Sequence, residues 1–524
     1  MIARRLIERM KRLGLAVFIA ASAFADTYPR QPGIDVEHYI FRLSLSDQTD
    51  EIRGETTVKV RLTTAGVSEF VLDLASDMIV DSVDAPHRHK ADRLHITVTG
   101  KQREFTIRYH GVPTSGLRIG LNKFKERTFY GLNWPHLARQ WLPVLDHPYD
   151  KATGEFLITA PVRYQVAANG LLQEERDLGD GNRLTHWKQS VPIASWLHTI
   201  GVAQFSVHHA SPVRGVPLET WVYHQNAARG PATFETSARR AIEFFSDRIG
   251  PYPYEKLANI EAVGLTGGSE HASAILYGEE VVEGKRSAAP LVAHEIAHQW
   301  FGNSVTEGDW DDVWLSEGFA TYFTLLFTEH YDGRDAFLAG LARAKQTAAK
   351  AQEKMPDQPI IHRNLDDPAK TLNALVYQKA GWVLHMLRGL VGTENFWAGI
   401  RAYYARYRDG NATTAAFRQV MEEQTGQDLA WFFDQWFHRA GWPVLQGGWR
   451  YEVGVRKLVV ELEQTQDGPP YRLPLEFAID GNLEKLDMIA KHQRFEIALE
   501  KPPGSVALDP NTWVLMDSKG VTAK

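Results

Sequence analysis

The chain of 524 residues contains no cysteine. This absence excludes disulfides, a thiolate nucleophile and a lipid anchor on cysteine, and any metal site must use nitrogen and oxygen ligands. The chain also has no basic run outside its N-terminus and a net charge of −6, which argues against a nucleic-acid partner. Internal repeats and low-complexity linkers are absent too, and the length is sufficient for three or four globular domains.

Residues 1–25 have the pattern of an export signal. An apolar run, Leu13 to Ala25, ends in Ala23-Phe24-Ala25, a small-x-small cleavage site before Asp26. It is preceded by a basic segment with Arg4, Arg5, Arg9, Lys11 and Arg12. The run is short for a membrane span, and no later stretch approaches transmembrane length. We therefore expect an exported protein, periplasmic or secreted, with no stable membrane span after cleavage; an uncleaved anchor is the alternative.

The segment His294-Glu295-Ile296-Ala297-His298 has the spacing of a zinc site. At about 100° per helical residue, His294 and His298 lie roughly 40° apart on one face, with Glu295 beside them. Glu317 follows after eighteen residues, at the start of a second apolar segment. Two imidazoles and one carboxylate make a three-ligand zinc site, which leaves a position for water. Glu295 is then placed to accept a proton from that water.

The hydrophobic periodicity divides the chain into three regions after the export segment. Residues 26–212 alternate apolar and polar side chains, as at Thr57–Leu62 and Phe105–Tyr109, which predicts an antiparallel β domain. Helical spacing dominates residues 213–440 and includes the zinc motif. Alternation returns in residues 441–524 and predicts a small β-sandwich. The expected fold class is multidomain α+β.

Two stretches carry a family resemblance: residues 294–303, which read HEIAHQWFGN, and residues 314–323, which read WLSEGFATYF. They closely resemble the aminopeptidase N and leukotriene hydrolase family of gluzincins, and the chain looks like a short three-domain bacterial-type member. The resemblance implies a thermolysin-like catalytic domain over residues 213–440. It also implies one zinc ion per chain and peptide substrates with a free N-terminal amine. The oligomeric state is not implied.

The pentad Gly267-Gly268-Ser269-Glu270-His271 occupies the place of the family's exopeptidase motif, Gly-x-Met-Glu-Asn. Two adjacent glycines let a peptide backbone approach closely and pair as an added strand. Glu270 would then face the free α-ammonium of the first residue, a contact that a mid-chain amide cannot make. Gly267, Gly268 and Glu270 are therefore expected to bind substrate, although Ser269 and His271 depart from the family motif.

The resemblance implies two more site residues. Tyr377 opens Tyr377-Gln378-Lys379-Ala380, which resembles the family's Tyr-x-Lys-Gly, whose Tyr hydroxyl donates to the oxyanion. Trp134 stands four residues before Ala138, where the family usually has a second Glu for the substrate amine. Its apolar face could instead supply a cation–π contact or a wall for the first side chain.

The sequence thus favours an exported zinc aminopeptidase. A zinc endopeptidase of the same fold is an alternative, because the amine anchor at position 134 is missing. A catalytically weak peptide-binding module is another, although Glu295 and all three ligands are present. No sequence feature favours an epoxide hydrolase of the leukotriene type. Comparing the cleavage of amino-blocked and free peptides distinguishes an aminopeptidase from an endopeptidase. Metal-dependent turnover of any substrate distinguishes an enzyme from a peptide-binding module.

Overall fold

The computed structural model describes residues 26–284, 287–362 and 367–523. The expected export segment, residues 1–25, lies outside them, so its cleavage stays a prediction. Within the described residues, no helix combines the length and apolarity needed to cross a membrane. The expected fold class is confirmed, because a β-rich N-terminal region precedes a mostly helical middle region and a set of C-terminal strands.

The N-terminal region is built from strands whose burial alternates residue by residue, as it does along Lys151–Pro161. Its strands are β1 (Ile34–Ser44), β2 (Ile52–Leu62), β3 (Glu69–Asp73), β4 (Ile79–Val83), β5 (His87–Lys90), β6 (Arg93–Thr97), β7 (Glu104–Gly111), β8 (Leu117–Leu121), β9 (Arg127–Gly131), β10 (Lys151–Pro161), β11 (Gln165–Ala168), β12 (Leu171–Asp177), β13 (Asn182–Ala194) and β14 (Ile200–Ala203). They form sheets in the orders β12-β13-β10-β1-β2-β7-β4, β11-β14-β9-β8 and β3-β6-β5. All pairs are antiparallel except β1 with β10.

The middle region combines one sheet with a group of helices. Its strands are β15 (Phe205–Val213), β16 (Val216–Tyr223), β17 (Leu257–Ala262), β18 (Gly268–Ser269), β19 (Ala274–Gly278), β20 (Val305–Glu307) and β21 (Gly410–Ala412). Its helices are α1 (Gly230–Arg248), α2 (Glu279–Val282), α3 (Ala289–His298), α4 (Trp314–Asp332), α5 (Arg334–Lys354), α6 (Ala380–Val391), α7 (Thr393–Tyr407), α8 (Thr414–Thr425) and α9 (Ala430–Phe437). A π-turn, Leu375–Lys379, leads into α6. The sheet order is β15-β16-β17-β19-β18, so β18 is an edge strand.

This middle sheet is packed on both faces. Leu257, Ile275 and Tyr277 point into the core shared with the helices. Ala258 and Ile260 on β17 point into the N-terminal core. Alternate side chains of a strand face opposite sides of its sheet, so one strand serves both cores. The sheet therefore joins the two regions.

Strand pairing places the start of the middle region earlier than the expected boundary between residues 212 and 213. β15 pairs with β16 and with no N-terminal strand in the described residues. By this criterion the middle region begins at Phe205. The physical reason is that apolar alternation indicates a strand without indicating which sheet it joins.

The C-terminal region consists of two sheets that share an apolar core with the helices. Its strands are β22 (Val444–Glu452), β23 (Lys457–Gln464), β24 (Leu473–Ile479), β25 (Asn482–Met488), β26 (His492–Ala498), β27 (Val506–Leu508) and β28 (Asp517–Ala523). The sheet orders are β26-β23-β22-β28 and β25-β24-β27. Trp436 of α9 lies 5.3 Å from the Tyr471 ring, which fixes this region against the end of the helical part.

Candidate metal centre and peptide-binding edge

Helices α3 and α4 bring His294, His298 and Glu317 together. The two Nε2 atoms lie 3.2 Å apart. Glu317 Oε2 lies 3.5 Å from His294 Nε2 and 3.3 Å from His298 Nε2. The one-turn spacing on α3 sets the first distance, and Glu317 in the first turn of α4 supplies the third atom. The structure thus groups the three residues that the sequence predicts as metal ligands.

The triangle fits a tetrahedral zinc ion. Zinc binds imidazole nitrogen and carboxylate oxygen at about 2.0–2.2 Å, so two ligand atoms of a tetrahedron lie about 3.3–3.6 Å apart. The three separations above are within about 0.1 Å of that range. Glu317 Oε2 is buried, and among the described residues it accepts no hydrogen bond. A buried carboxylate oxygen without a hydrogen-bond donor is expected to have a cation as its partner.

Neighbouring groups orient His298 for this role. Its Nδ1 lies 3.0 Å from Ser316 Oγ and 3.3 Å from the carbonyl oxygen of Phe301. A proton on Nδ1 can be donated to these oxygens, which leaves the Nε2 lone pair facing Glu317. Ser316 immediately precedes Glu317, so one short segment supplies both a ligand and the group that orients another ligand.

The electrostatics of the cluster favour a cation. Burial and the neighbouring Glu270 raise the pKa of Glu295 well above its usual range. Burial also raises the pKa of Glu270, against the effect of His298. For Glu317, burial is outweighed by His298 and His294, which lower its pKa to about 2. Three buried carboxyl groups together are stabilised by any positive charge placed among them, whether from a metal ion or from an ammonium group.

Gly268 and Glu295 approach each other so closely that a side chain at position 268 would force one of them to shift. A Cβ built on Gly268 would lie 2.4 Å from Cδ of Glu295 and 2.5 Å from its Oε1. Gly268 belongs to β18, whose outer edge has no partner strand in the described residues. A backbone that is free on one edge and in contact with Glu295 can pair with an extended peptide and hold it against that carboxylate.

Glu270 follows β18 and is 8% exposed. Two side chains beyond the end of α3 hold its carbonyl oxygen: Gln299 Nε2 donates at 3.0 Å and Asn303 Nδ2 at 2.5 Å. The sequence does not reveal these contacts of Gln299 and Asn303, because nothing in their spacing indicates a residue about thirty positions earlier as their partner. His271 is buried, and burial lowers its pKa to about 4, so this departure from the family motif lies in the packed interior.

Tyr377 lies in the π-turn before α6. Its hydroxyl donates to Glu317 Oε1 at 2.7 Å, and its ring lies nearly parallel to the His294 ring at 6.2 Å. Burial and Glu317 raise its pKa, so the phenol keeps its proton and remains a hydrogen-bond donor. The structure thus places this hydroxyl directly beside the three ligand side chains.

Trp134 packs beside Trp310. It is half-buried, and its ring meets the Trp310 ring at 5.5 Å in an edge-to-face contact. It packs against the small cluster that contains Ala272, two residues after Glu270. Trp134 therefore packs against the same cluster as Ala272, and its ring contacts the Trp310 ring.

Two models of known protein domains match this chain. Residues 235–436 match the Peptidase family M1 domain, and residues 133–197 match the Peptidase M1 N-terminal domain. The chain belongs to peptidase family M1. The matched ranges include the three grouped ligands, Glu295, Glu270 and Tyr377, and the second range includes Trp134. The resemblance drawn from the sequence is thereby confirmed.

The curated relatives of this chain include proteins named aminopeptidases. Human glutamyl aminopeptidase is 28% identical over 406 residues, which cover 72% of this chain and 42% of that protein. A probable aminopeptidase 2 of Sulfurisphaera tokodaii is 25% identical over 366 residues, or 66% of this chain and 46% of that protein. The chain therefore spans less than half the length of these relatives.

Solved M1 structures share the fold. The M1 zinc metallopeptidase of Deinococcus radiodurans superposes with a TM-score of 0.67 at 26% identity, over 77% of this chain and 93% of that one. Aminopeptidase A of Legionella pneumophila, solved with aspartic acid, gives a TM-score of 0.81 at 17% identity, over 94% of this chain and 60% of that one. The second likeness concerns the fold alone.

Proposed function

We propose that this protein is a zinc-dependent aminopeptidase that releases N-terminal residues from peptides. One arrangement carries the proposal: Gly268, on the outer edge of β18, lies against Glu295, and Glu270, two residues further on, is close enough to His298 and Glu317 for their charges to act on its pKa. A peptide paired with that edge would have its first residue at Glu270 and its first peptide bond at Glu295. M1 membership and relatives named aminopeptidases support the same activity.

Each site residue then has a defined task. His294, His298 and Glu317 would hold one zinc ion, which when bound supplies Lewis acidity that polarises the scissile carbonyl and acidifies water. The Glu295 carboxylate takes the proton from the attacking water and delivers it to the leaving amine. The Tyr377 hydroxyl donates a hydrogen bond to the oxygen that gains negative charge. Glu270 pairs with the substrate ammonium and so selects a chain terminus.

The decisive experiment compares free and N-acetylated substrates. Aminoacyl fluorogenic amides, including ones with acidic first residues, are offered to the zinc-loaded protein beside their acetylated counterparts. We expect turnover of the free amines only, about one zinc per chain by elemental analysis, and loss of activity with a chelator. Equal cleavage of both sets would exclude an aminopeptidase and favour the endopeptidase. That alternative is supported by the aromatic contacts of Trp134, which replaces a carboxylate anchor.

A second outcome would exclude enzymatic function altogether. If the zinc-loaded protein bound peptides but cleaved neither set, it would be a peptide-binding module. The presence of Glu295 beside the grouped ligands argues against this outcome, because binding alone does not need a buried carboxylate there.

Export is proposed on the pattern of residues 1–25 alone. The mature protein is then expected to begin at Asp26. Intact-mass measurement of protein purified from its native host tests this, and retention of Met1 would contradict it.

A further inference from the structure

The π-turn that carries Tyr377 is held in place from both sides. A π-turn contains one residue more than a regular helical turn, and such turns occur often at functional sites. On the α4 side, a Cβ on Gly318 would lie 2.7 Å from the Ala380 Cβ and 3.2 Å from the Val376 carbonyl oxygen, so α4 and the turn are in direct contact. This contact fixes one side of the turn next to Glu317.

Lys379 fixes the other side. It is the last residue of the π-turn and is fully buried. Its Nζ donates to the carbonyl oxygen of Arg439 at 3.2 Å. Burial, reinforced by Arg439, lowers the pKa of Lys379 to about 7. A buried amine is costly to leave without its acceptor, so this hydrogen bond restrains the turn strongly.

The Arg439 carbonyl is itself held by the C-terminal region. The guanidinium of Arg439 donates to the carbonyl oxygens of Pro469 at 2.7 Å and Pro470 at 3.2 Å. It also lies 3.9 Å from the centre of the Tyr471 ring. The Tyr471 hydroxyl donates a hydrogen bond to the carbonyl oxygen of Ala440, the residue after Arg439, at 3.0 Å. The loop between β23 and β24 therefore clamps the segment that receives Lys379.

We propose that Lys379 is a positioning residue through which the C-terminal β-sandwich sets the place of the Tyr377 hydroxyl. The restraint runs from the β23–β24 loop through Arg439 to Lys379 and then two residues along the π-turn to Tyr377. The C-terminal region thereby takes part in catalysis without touching substrate. This inference rests on the proposed aminopeptidase function, in which Tyr377 acts on the reacting carbonyl.

A double-mutant cycle tests the inference on the full-length, zinc-loaded chain. The variants are Lys379→Met, Tyr377→Phe and their combination, with kcat and KM measured on a free-amine substrate. Misplacing a catalytic group by about 1 Å can cost about 100-fold. We therefore expect Lys379→Met to lower kcat by about 10- to 100-fold with KM changed less than about threefold. With Phe at position 377, the same change should lower kcat by less than about twofold, because the positioned hydroxyl is already gone.

Arg439→Ala tests the clamp in a second way and keeps the inference testable if Lys379→Met does not fold. Like Lys379→Met, Arg439→Ala should lower kcat, and it should do so only in the protein that keeps Tyr377. Arg472→Ala is the matched control, since that guanidinium also belongs to the C-terminal region and lies 4.4 Å from the centre of the Trp431 ring. Among the described residues the partners of Arg472 are Asp487, Trp431 and Gln435, none of which belongs to the π-turn, so kcat should stay within about twofold.

The outcomes separate this inference from the proposed function. A parent protein that cleaves no free-amine substrate refutes the function itself. A parent that is active, with additive effects of the Lys379 and Tyr377 changes, refutes the positioning role alone. Loss of zinc or a change mainly in KM in the Lys379 variant would also overturn it, because both indicate general disruption of the site.

Discussion

The proposed metal side of the site, His294, His298, Glu317 and Glu295, is built differently from the proposed amine side, Glu270 and Trp134. On the metal side, two helices bring the three ligand atoms within 3.5 Å of one another. On the amine side, Glu270 directly follows the edge strand β18, whereas the N-terminal region supplies Trp134, which lies against Trp310. The geometry of the metal side depends on helical pitch, whereas the geometry of the amine side depends on contacts between segments that are far apart in sequence.

Under the proposed function, the metal side carries out the hydrolysis and the amine side selects the substrate. Changes on the metal side should affect every substrate alike, because all hydrolysis uses the same proton transfer and the same carbonyl activation. Changes on the amine side should affect only substrates with a free ammonium group. The four substitutions below test that division, in order of decreasing expected effect.

Glu295→Ala should have the largest effect. General acid–base catalysis contributes about 10²- to 10⁴-fold, so kcat should fall by that factor for all substrates while the three ligands keep the zinc. Elemental analysis and kinetics on the same preparation give both quantities. Near-normal turnover with a full zinc complement would contradict the assigned mechanism.

Glu270→Ala should act on free amines alone. Leaving one member of a buried charge pair without its partner costs about 2–5 kcal/mol. This corresponds to a fall in kcat/KM of roughly 30- to 5,000-fold for free-amine substrates, at about 1.36 kcal/mol per tenfold. Acetylated substrates, poor for the parent protein, should be little changed. Glu476→Ala removes a carboxylate of similar burial, 9% exposed, in the C-terminal region and should leave kcat/KM unchanged. A similar loss of kcat/KM for free and acetylated substrates would show that Glu270 does not act specifically on the substrate amine.

Gly268→Ala tests the place where the two sides meet. Its Cβ would lie 2.4–2.5 Å from atoms of the Glu295 carboxylate, so one of the two must shift. Displacing a catalytic group by about 1 Å can cost about 100-fold, and we expect kcat to fall on that order with zinc retained. Gly120→Ala is the control, because a Cβ there meets nothing within 4 Å. Equal activity of both variants would show that β18 does not hold Glu295.

Trp134→Ala should have the smallest effect. A cation–π contact with the substrate ammonium contributes about 0.5–2 kcal/mol, equivalent to a loss of about 2- to 30-fold in kcat/KM. A uniform loss across first residues indicates an amine contact, whereas a loss that depends on the first side chain indicates a pocket wall. Trp431→Ala, which truncates a half-buried tryptophan in α9, controls for lost packing.

The features predictable from sequence are those set by local spacing. The turn between His294 and His298 follows from helical pitch alone. The apolar segment that Glu317 opens lies within a helix, α4, although this helix begins three residues earlier, at Trp314. The alternating strands of the N-terminal and C-terminal regions follow for the same reason. In each case a single element determines the geometry.

The remaining features depend on contacts between segments that are far apart in sequence. Nothing local indicates that Gln299 holds the Glu270 carbonyl, or that Lys379 meets Arg439. The parallel pairing of β1 with β10 is equally hidden, because alternation is the same in both strand directions. The assignment of β15 to the middle sheet differs from the expected boundary for this reason.

The middle sheet has a consequence for how the molecule can be divided. Because Leu257 packs with the helices and its neighbour Ala258 with the N-terminal core, neither region can be cut away without exposing an apolar sheet face to water. The two regions are thus one cooperative folding unit, although their strand patterns read as separate domains. A fragment that begins at Phe205 is expected to aggregate, and the intact protein to melt through both regions in a single calorimetric transition. Because β18 is an edge strand of this sheet, its position depends on the packing of both cores.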